Sequence, residues 1–312
     1  MQFRTEIKVG HAPFTITHRD DLVLMGSCFS ESIGTILQRY RFGTTINSHG
    51  VIFNPESVAQ ALDDVIDRKV FAAPDLVQHA GVFFSYSHHG RFKSESADEL
   101  LSVINNNIST AHLALSRAKV LLITFGSSWA YQLKMDGRIV ANCHKQPQQY
   151  FEKVLLDHTL VEERWLPLLQ KLRAFNPHLE IVFTVSPVRH WKDGPTNNQV
   201  SKAHLSIATR NFTDRFSGIH YFPAYEIVMD DLRDYRFYKE DMLHPSEVAV
   251  DYIWQKFRSW CIAPATNSLL DELEPLIRFT EHRPLHMSGD AFAVVLAEKE
   301  HQISEKIAST LK

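Results

Sequence analysis

Three polar residues in two distant stretches carry the side-chain types needed for acyl chemistry. Ser27, in Gly26-Ser27-Cys28-Phe29-Ser30, closes one apolar run and opens an amphipathic one; Asp241-Met242-Leu243-His244 follows the last apolar run and precedes Pro245-Ser246-Glu247. A serine hydroxyl is a weak nucleophile until a base accepts its proton and a third group orients that base. The two residues between Asp241 and His244 let one loop turn hold the carboxylate against Nδ1 while Nε2 faces the serine. On a strand-to-helix turn, Gly26 permits the backbone bend, and the helix N-terminus places free amides and the positive end of its dipole where an oxyanion would form. Ser246 reads as the cap of the helix that follows. The plain alternatives are a small residue easing a turn at Ser27 and a helix start with an exposed histidine at 244. The combination in one chain favours catalysis.

These residues need a scaffold that brings residue 27 to residue 244. Short apolar runs, 22–25, 42–46, 120–124, 181–185 and 219–222, alternate with amphipathic stretches at 30–39, 57–67, 97–116, 161–175 and 198–212. That alternation is the signature of parallel strands joined by crossover helices, here a three-layer α/β/α sandwich with a mainly parallel five-stranded sheet. In such sheets ligands bind beyond the carboxyl ends of the strands, where Ser27 would lie. Two hairpins are expected to interrupt the pattern, one from Val82 to Tyr86 turning at His88-His89-Gly90, the other turning at Asp136-Gly137. The helical, charged stretches 269–279 and 291–311 predict a carboxyl-terminal helical extension, residues 263–312, on a catalytic domain spanning 1–262. It would serve as a cap or an oligomer arm.

Composition excludes several classes. A net charge of -3 over 312 residues, with both signs interspersed, gives no electrostatic footprint for nucleic acid or an anionic membrane. Charges at Arg4 and Glu6 fall where a secretory signal needs apolar residues, and no stretch is apolar enough to span a bilayer, so a cytoplasmic location is expected. The three cysteines are far apart and lack paired C-x-x-C spacing, which argues against both a disulfide framework and a zinc site. No cofactor or metal is called for. Gly26 to Gly34 lacks the lysine of a phosphate-binding loop. His88 and His89 read as solvated turn residues, and Trp254, Phe257 and Trp260, at helical spacing, as core.

The motifs also have a collective resemblance. Gly26-Ser27-Cys28-Phe29, Asn47-Ser48-His49-Gly50-Val51-Ile52-Phe53-Asn54-Pro55, Thr124-Phe125-Gly126-Ser127-Ser128-Trp129, Asn142-Cys143-His144-Lys145, Ser186-Pro187-Val188-Arg189-His190 and Asp241-Met242-Leu243-His244 resemble, in order and spacing, the GSCFA-domain family, a branch of the SGNH/GDSL hydrolase-like fold. The resemblance runs from about residue 22 to 260. It implies a flavodoxin-like sandwich and an esterase or acyltransferase centre, with Ser27 as nucleophile, Gly50 as an amide donor to the oxyanion hole, and Asp241 and His244 as the closing pair. It selects serine over Cys28, a rival because thiols at helix N-termini are activated; neighbours on such a turn also diverge in direction, so Cys28 is read as packing. Where SGNH enzymes usually carry an asparagine, this sequence has Ser128; either Ser128 donates the hydrogen bond or Asn142 reaches in from the hairpin. Asn47, Trp129, His144, Lys145, Arg189 and His190 are expected to line the substrate pocket, although a hairpin exit at 142–145 and a structural ion pair or loop lock at 189–190 are equally plain readings.

The leading expectation is a serine-dependent hydrolase of a small O-acyl ester. An O-acetylated carbohydrate is suggested by family analogy alone. An acyltransferase using the same residues, or a binding module that keeps the pocket without the chemistry, are the alternatives.

Overall fold

The apolar runs form strands because helices cover both faces of the sheet they build. The structure, a computed structural model, describes residues 4–281 and 289–310. Met1–Phe3 of the amino-terminal segment and Leu311, the expected end of the last helix, lie outside the described residues.

In chain order, β1 (Asp21–Gly26), α1 (Cys28–Arg39), β2 (Gly43–Ile46) and α2 (Pro55–Ile66) lead to three short strands, β3 (Val77–His79), β4 (Val82–Phe84) and β5 (Lys93–Ser94). There follow α3 (Ala97–Arg117), β6 (Val120–Phe125), β7 (Trp129–Leu133), β8 (Ile139–Val140), β9 (Phe151–Leu155), α4 (His158–Phe175), β10 (Glu180–Val185), α5 (Pro195–Arg215) and β11 (Ile219–Tyr221). A single turn, α6 (Ala224–Glu226), and three helices, α7 (Glu247–Cys261), α8 (Pro264–Glu281) and α9 (Gly289–Thr310), complete the chain.

The central sheet is five-stranded and parallel throughout, in the order β11-β10-β6-β1-β2. This is the flavodoxin-like doubly wound order, and its switch point is the crevice between β1 and β6. Side chains alternate across the sheet with the strand period of two. Leu22 and Leu24 pack with α1, α7 and α8, whereas Val23 and Met25 pack with α2, α3, α4 and α5. Burial on both faces is why these strands read as continuous apolar runs.

Two small antiparallel sheets sit beside the main one. The first departs from expectation. β3 and β4 pair around Ala80-Gly81, and β4 then pairs with β5, so His88-His89-Gly90 belongs to a longer connection instead of a tight turn. The second has its turn at Asp136-Gly137, where Gly137 takes φ +76° and donates to Leu133 O, but β9 adds a third strand on the other edge of β7. Its sequence, Phe-Glu-Lys-Val-Leu, gives no local sign of that partner.

The carboxyl-terminal helices share the main core. Leu269, Leu270, Leu273 and Ile277 of α8 and Ile303 of α9 join the cluster of α1 and α7. Arg39 ties α1 to α8 through Glu274 and Glu281, both at 2.7 Å. α8 thus buries its apolar face within the chain, whereas Val294 of α9 stays exposed. Among the described residues no helix is long and apolar enough to cross a membrane.

Candidate active site

Ser27 stands at the carboxyl end of β1 as the N-cap of α1, with its φ and ψ at -71° and 173°. Gly26 before it takes φ +129°, and a Cβ there would lie 2.1 Å from Thr124 O on the neighbouring strand, so only glycine lets β1 and β6 approach this closely. Ser27 is 3% exposed. Its Oγ accepts a hydrogen bond from Phe29 N at 3.3 Å, the capping bond expected of serine at this position. Ser30, one turn on, donates to Met25 O and Thr124 Oγ1 and fastens the start of α1 to both strands.

Asp241 and His244 form the expected couple. His244 Nδ1 lies 2.6 Å from Asp241 Oδ2, while Asp241 Oδ1 accepts the backbone N–H groups of Leu243 and His244 at 2.9 Å each. Those two amides, then the imidazole, hold the carboxyl down to about 2. Met242 takes φ +58°, which closes this turn. His244 and Asp241 are 44% and 46% exposed, and among the described residues His244 Nε2 has no protein partner. Arg189 N donates to Leu243 O at 3.1 Å and so pins the loop to the end of β10. His244 and Cys28, the residue after Ser27, line one groove of about 660 Å³ that runs between α1 and α7 past Phe29, Val188, Arg39 and Asp251. Burial pushes the Cys28 thiol up, away from the activated range of a thiol at a helix N-terminus.

The oxyanion donors differ from expectation. Ser27 N donates to Thr124 O at 3.0 Å and Gly50 N to Asn47 O at 2.7 Å, so sheet and turn pairing already use both amides. Ser128 Oγ is wholly buried with no partner among the described residues, and Ser128 N bonds Ser201 Oγ at 2.8 Å. Asn142 Oδ1 accepts His144 N, and its amide nitrogen stands over Gly90, 3.6 Å from where a Cβ there would lie.

Several residues expected to touch substrate also make bonds or contacts within the scaffold. Asn47 Oδ1 accepts Gly26 N at 2.9 Å. Trp129 Nε1 donates to Asn197 O. His144 Nε2 lies 2.9 Å from Ser85 O and 3.1 Å from His88 O, and its ring stacks on Phe84. Arg189 lies over Trp191, 4.1 Å from the ring centroid. Lys145 is exposed. His88, expected in solvent, is fully buried and stacks on His49 at 4.5 Å with Phe71 and Phe92 around it. The β4–β5 connection folds inward over α3, which a tight-turn reading cannot foresee. Among the described residues no cluster of three or more His, Cys, Asp or Glu is placed to hold a metal.

His190 is brought to the centre. The bare Cα of Gly126 leaves a space bounded by Phe53 Cβ, His190 Nε2 and Ser27 Cβ, at 2.6, 3.2 and 3.4 Å from where a Cβ would stand. Burial, then the nearby Lys202 and His244, pushes the His190 imidazole down to about 3. The first turns of α5 hold this arrangement, and the sequence reading missed them. Asn198 Oδ1 accepts His190 N at 2.9 Å, Ser201 Oγ serves Ser127 and Ser128, and Lys202 Nζ donates to Gly126 O and Ser186 O at 2.6 and 2.7 Å. Burial pushes Lys202 down to about 7. A signal was present: Asn198, Ser201, Lys202, Leu205 and Thr209 form one buried stripe at helical spacing, and a lysine in such a stripe needs polar partners.

The fold is therefore a doubly wound α/β sandwich with a serine elbow at its switch point and an Asp–His couple on the same rim. The chain belongs to the GSCFA family, whose model matches residues 21–257. No curated protein matches it. Among solved structures, a family 3 carbohydrate esterase from Clostridium thermocellum is 12% identical, with 83% of this chain and 98% of that one covered and a TM-score of 0.36. An acetyl xylan esterase from the rumen bacterium Butyrivibrio proteoclasticus is 10% identical, with 84% and 66% covered and a TM-score of 0.38.

Proposed function

We propose that the protein is a serine-dependent hydrolase of small O-acyl esters. The observation that carries this reading is the 2.6 Å Asp241–His244 bond, with Nε2 left free, on a groove that His244 shares with Cys28, the residue after Ser27. A carboxylate on Nδ1 fixes the tautomer whose Nε2 accepts a proton and stabilises the imidazolium that forms.

In this mechanism Ser27 Oγ leaves its capping bond to Phe29 N and attacks the ester carbonyl, and its proton passes to His244 Nε2. The tetrahedral intermediate collapses to acyl-Ser27, and the alcohol departs with the proton from His244. Water, deprotonated in turn by His244, then releases the carboxylic acid and restores the hydroxyl. Small acyl groups fit a nucleophile that is 3% exposed, whereas the open groove along α1 has room for a larger alcohol such as a sugar. The same groove supports acyl transfer as a second reading, because an acceptor hydroxyl lying there could replace water at the acyl-enzyme.

Hydrolysis of p-nitrophenyl acetate by the purified protein, measured beside Ser27→Ala and His244→Ala, tests the reading. Loss of at least ~10³ in kcat/KM in both variants is expected. Equal rates from wild type and Ser27→Ala would defeat it.

A further inference from the structure

We propose that His190 is a further catalytic residue, a neutral imidazole whose N–H donates a hydrogen bond to the carbonyl oxygen of the acyl group on Ser27. The site then works with two imidazoles, His244 moving the proton and His190 holding the oxyanion. This rests on the ester-hydrolase reading.

An oxyanion forming on Ser27 needs donors that are nearby and uncommitted. The amides of Ser27 and Gly50 are bonded to Thr124 O and Asn47 O, the Ser128 hydroxyl and the Asn47 amide nitrogen are buried without partners, and the Asn142 amide stands over Gly90. His190 Nε2 and Ser27 Cβ both close on the bare Cα of Gly126, 3.2 and 3.4 Å from where a Cβ there would stand, so the ring nitrogen lies beside the nucleophile of this reading. Among the described residues neither ring nitrogen of His190 has a hydrogen-bond partner in the protein, so the imidazole keeps a donor in reserve.

The ring is also held in place. Its backbone N–H is fixed by Asn198, its face lies against Phe53 at 5.2 Å between centroids, and Lys202 anchors the strand ends on either side. Such a donor costs no reorganisation when the charge appears. Burial, and then the nearby Lys202, His244 and Lys153, favour the neutral form of His190. A neutral imidazole donates through one nitrogen only, and the geometry calls for the tautomer with its proton on Nε2.

The test uses full-length protein and p-nitrophenyl acetate with His190→Leu, His190→Gln, Ser27→Ala and His244→Ala, with a fluorophosphonate probe reporting the reactivity of Ser27. His190→Leu is expected to lower kcat ~10²–10³-fold with KM changed only a few-fold, as for loss of one oxyanion donor. His190→Gln, which keeps an N–H at similar reach, should recover at least ~10-fold of that loss and leave the acid limb of the kcat/KM profile unmoved. Should His190→Leu fail to fold, the His190→Gln profile and the titration of His190 in histidine-labelled wild type by NMR decide the matter, the ring remaining neutral from pH 5 to 8. Activity of His190→Leu within twofold of wild type, with Ser27→Ala dead, overturns the inference and leaves the hydrolase reading intact. His190→Gln as inactive as His244→Ala, with its acid limb abolished, makes His190 the base and also overturns it. A wild type that neither hydrolyses the ester nor takes the probe overturns both.

Discussion

The two halves of the site are built differently. Ser27, Gly126 and His190 lie in a buried crevice where strand register, a glycine contact and the polar stripe of α5 leave each atom little freedom. Asp241 and His244 sit about half exposed on a loop, held by their own i,i+3 bond, two local amides, bonds from Lys239 N to His244 O and Met242 N to Lys239 O, and a strap from Arg189 N to Leu243 O. The first half is rigid because moving it would break the sheet. The second is held by bonds within its loop and to one strand end, outside the hydrophobic core, a placement that suits the proposed base, which must meet a proton, release it and admit substrate.

If that contrast is right, the largest effect should come from the exposed half. Asp241→Asn leaves the loop nearly isosteric but loses the tautomer control, and kcat should fall by ~10⁴ with the melting temperature nearly unchanged. A fall in kcat below tenfold in steady-state assays would show that His244 needs no orienting carboxylate.

The buried half should instead respond through stability. Gly126→Ala places a methyl against Phe53, His190 and Ser27, and about 1–3 kcal/mol of destabilisation together with loss of activity is expected from urea unfolding and ester assays. Retention of both would mean that the crevice is looser than its distances suggest.

Lys202→Met removes the two bonds to Gly126 O and Ser186 O but also relieves a buried cation. The balance is about 1–3 kcal/mol of destabilisation from carbonyls left without a partner. His190 should titrate higher in this variant, since a neighbouring cation is gone. An unchanged His190 titration in NMR would place Lys202 outside the site's electrostatics.

Folding should also depend on pH. Burial lowers His88 and His190 below the usual histidine value of 6.5, so between the folded and unfolded values the unfolded chain binds more protons. Their contribution is complete above about pH 6.5 and is lost as the pH falls through the range beneath it. Urea midpoints should drop between pH 7.5 and 5, and His88→Phe should flatten that drop. An equally steep fall in the variant would assign the acid sensitivity elsewhere.

Much of this molecule is readable from order and periodicity. The five strands, the glycine-serine elbow and the local Asp241–His244 turn depend on residues close in the chain, where the apolar period and short-range bonding decide the outcome. The inward fold of His88, the third strand at β9, the scaffold duties of Asn47, Trp129 and His144, and the α5 platform depend on partners from about 20 to 80 residues away.

The sequence by itself determined the parallel sandwich and the rim on which its chemistry must lie, because burial on both faces writes a periodic pattern and doubly wound sheets open at their carboxyl ends. Only the tertiary structure decided which polar groups remain unspent there. A hydrogen-bond donor is free or committed according to what the fold places against it, and that turned the Ser27 and Gly50 amides inward and left the His190 imidazole without a protein partner beside Gly126.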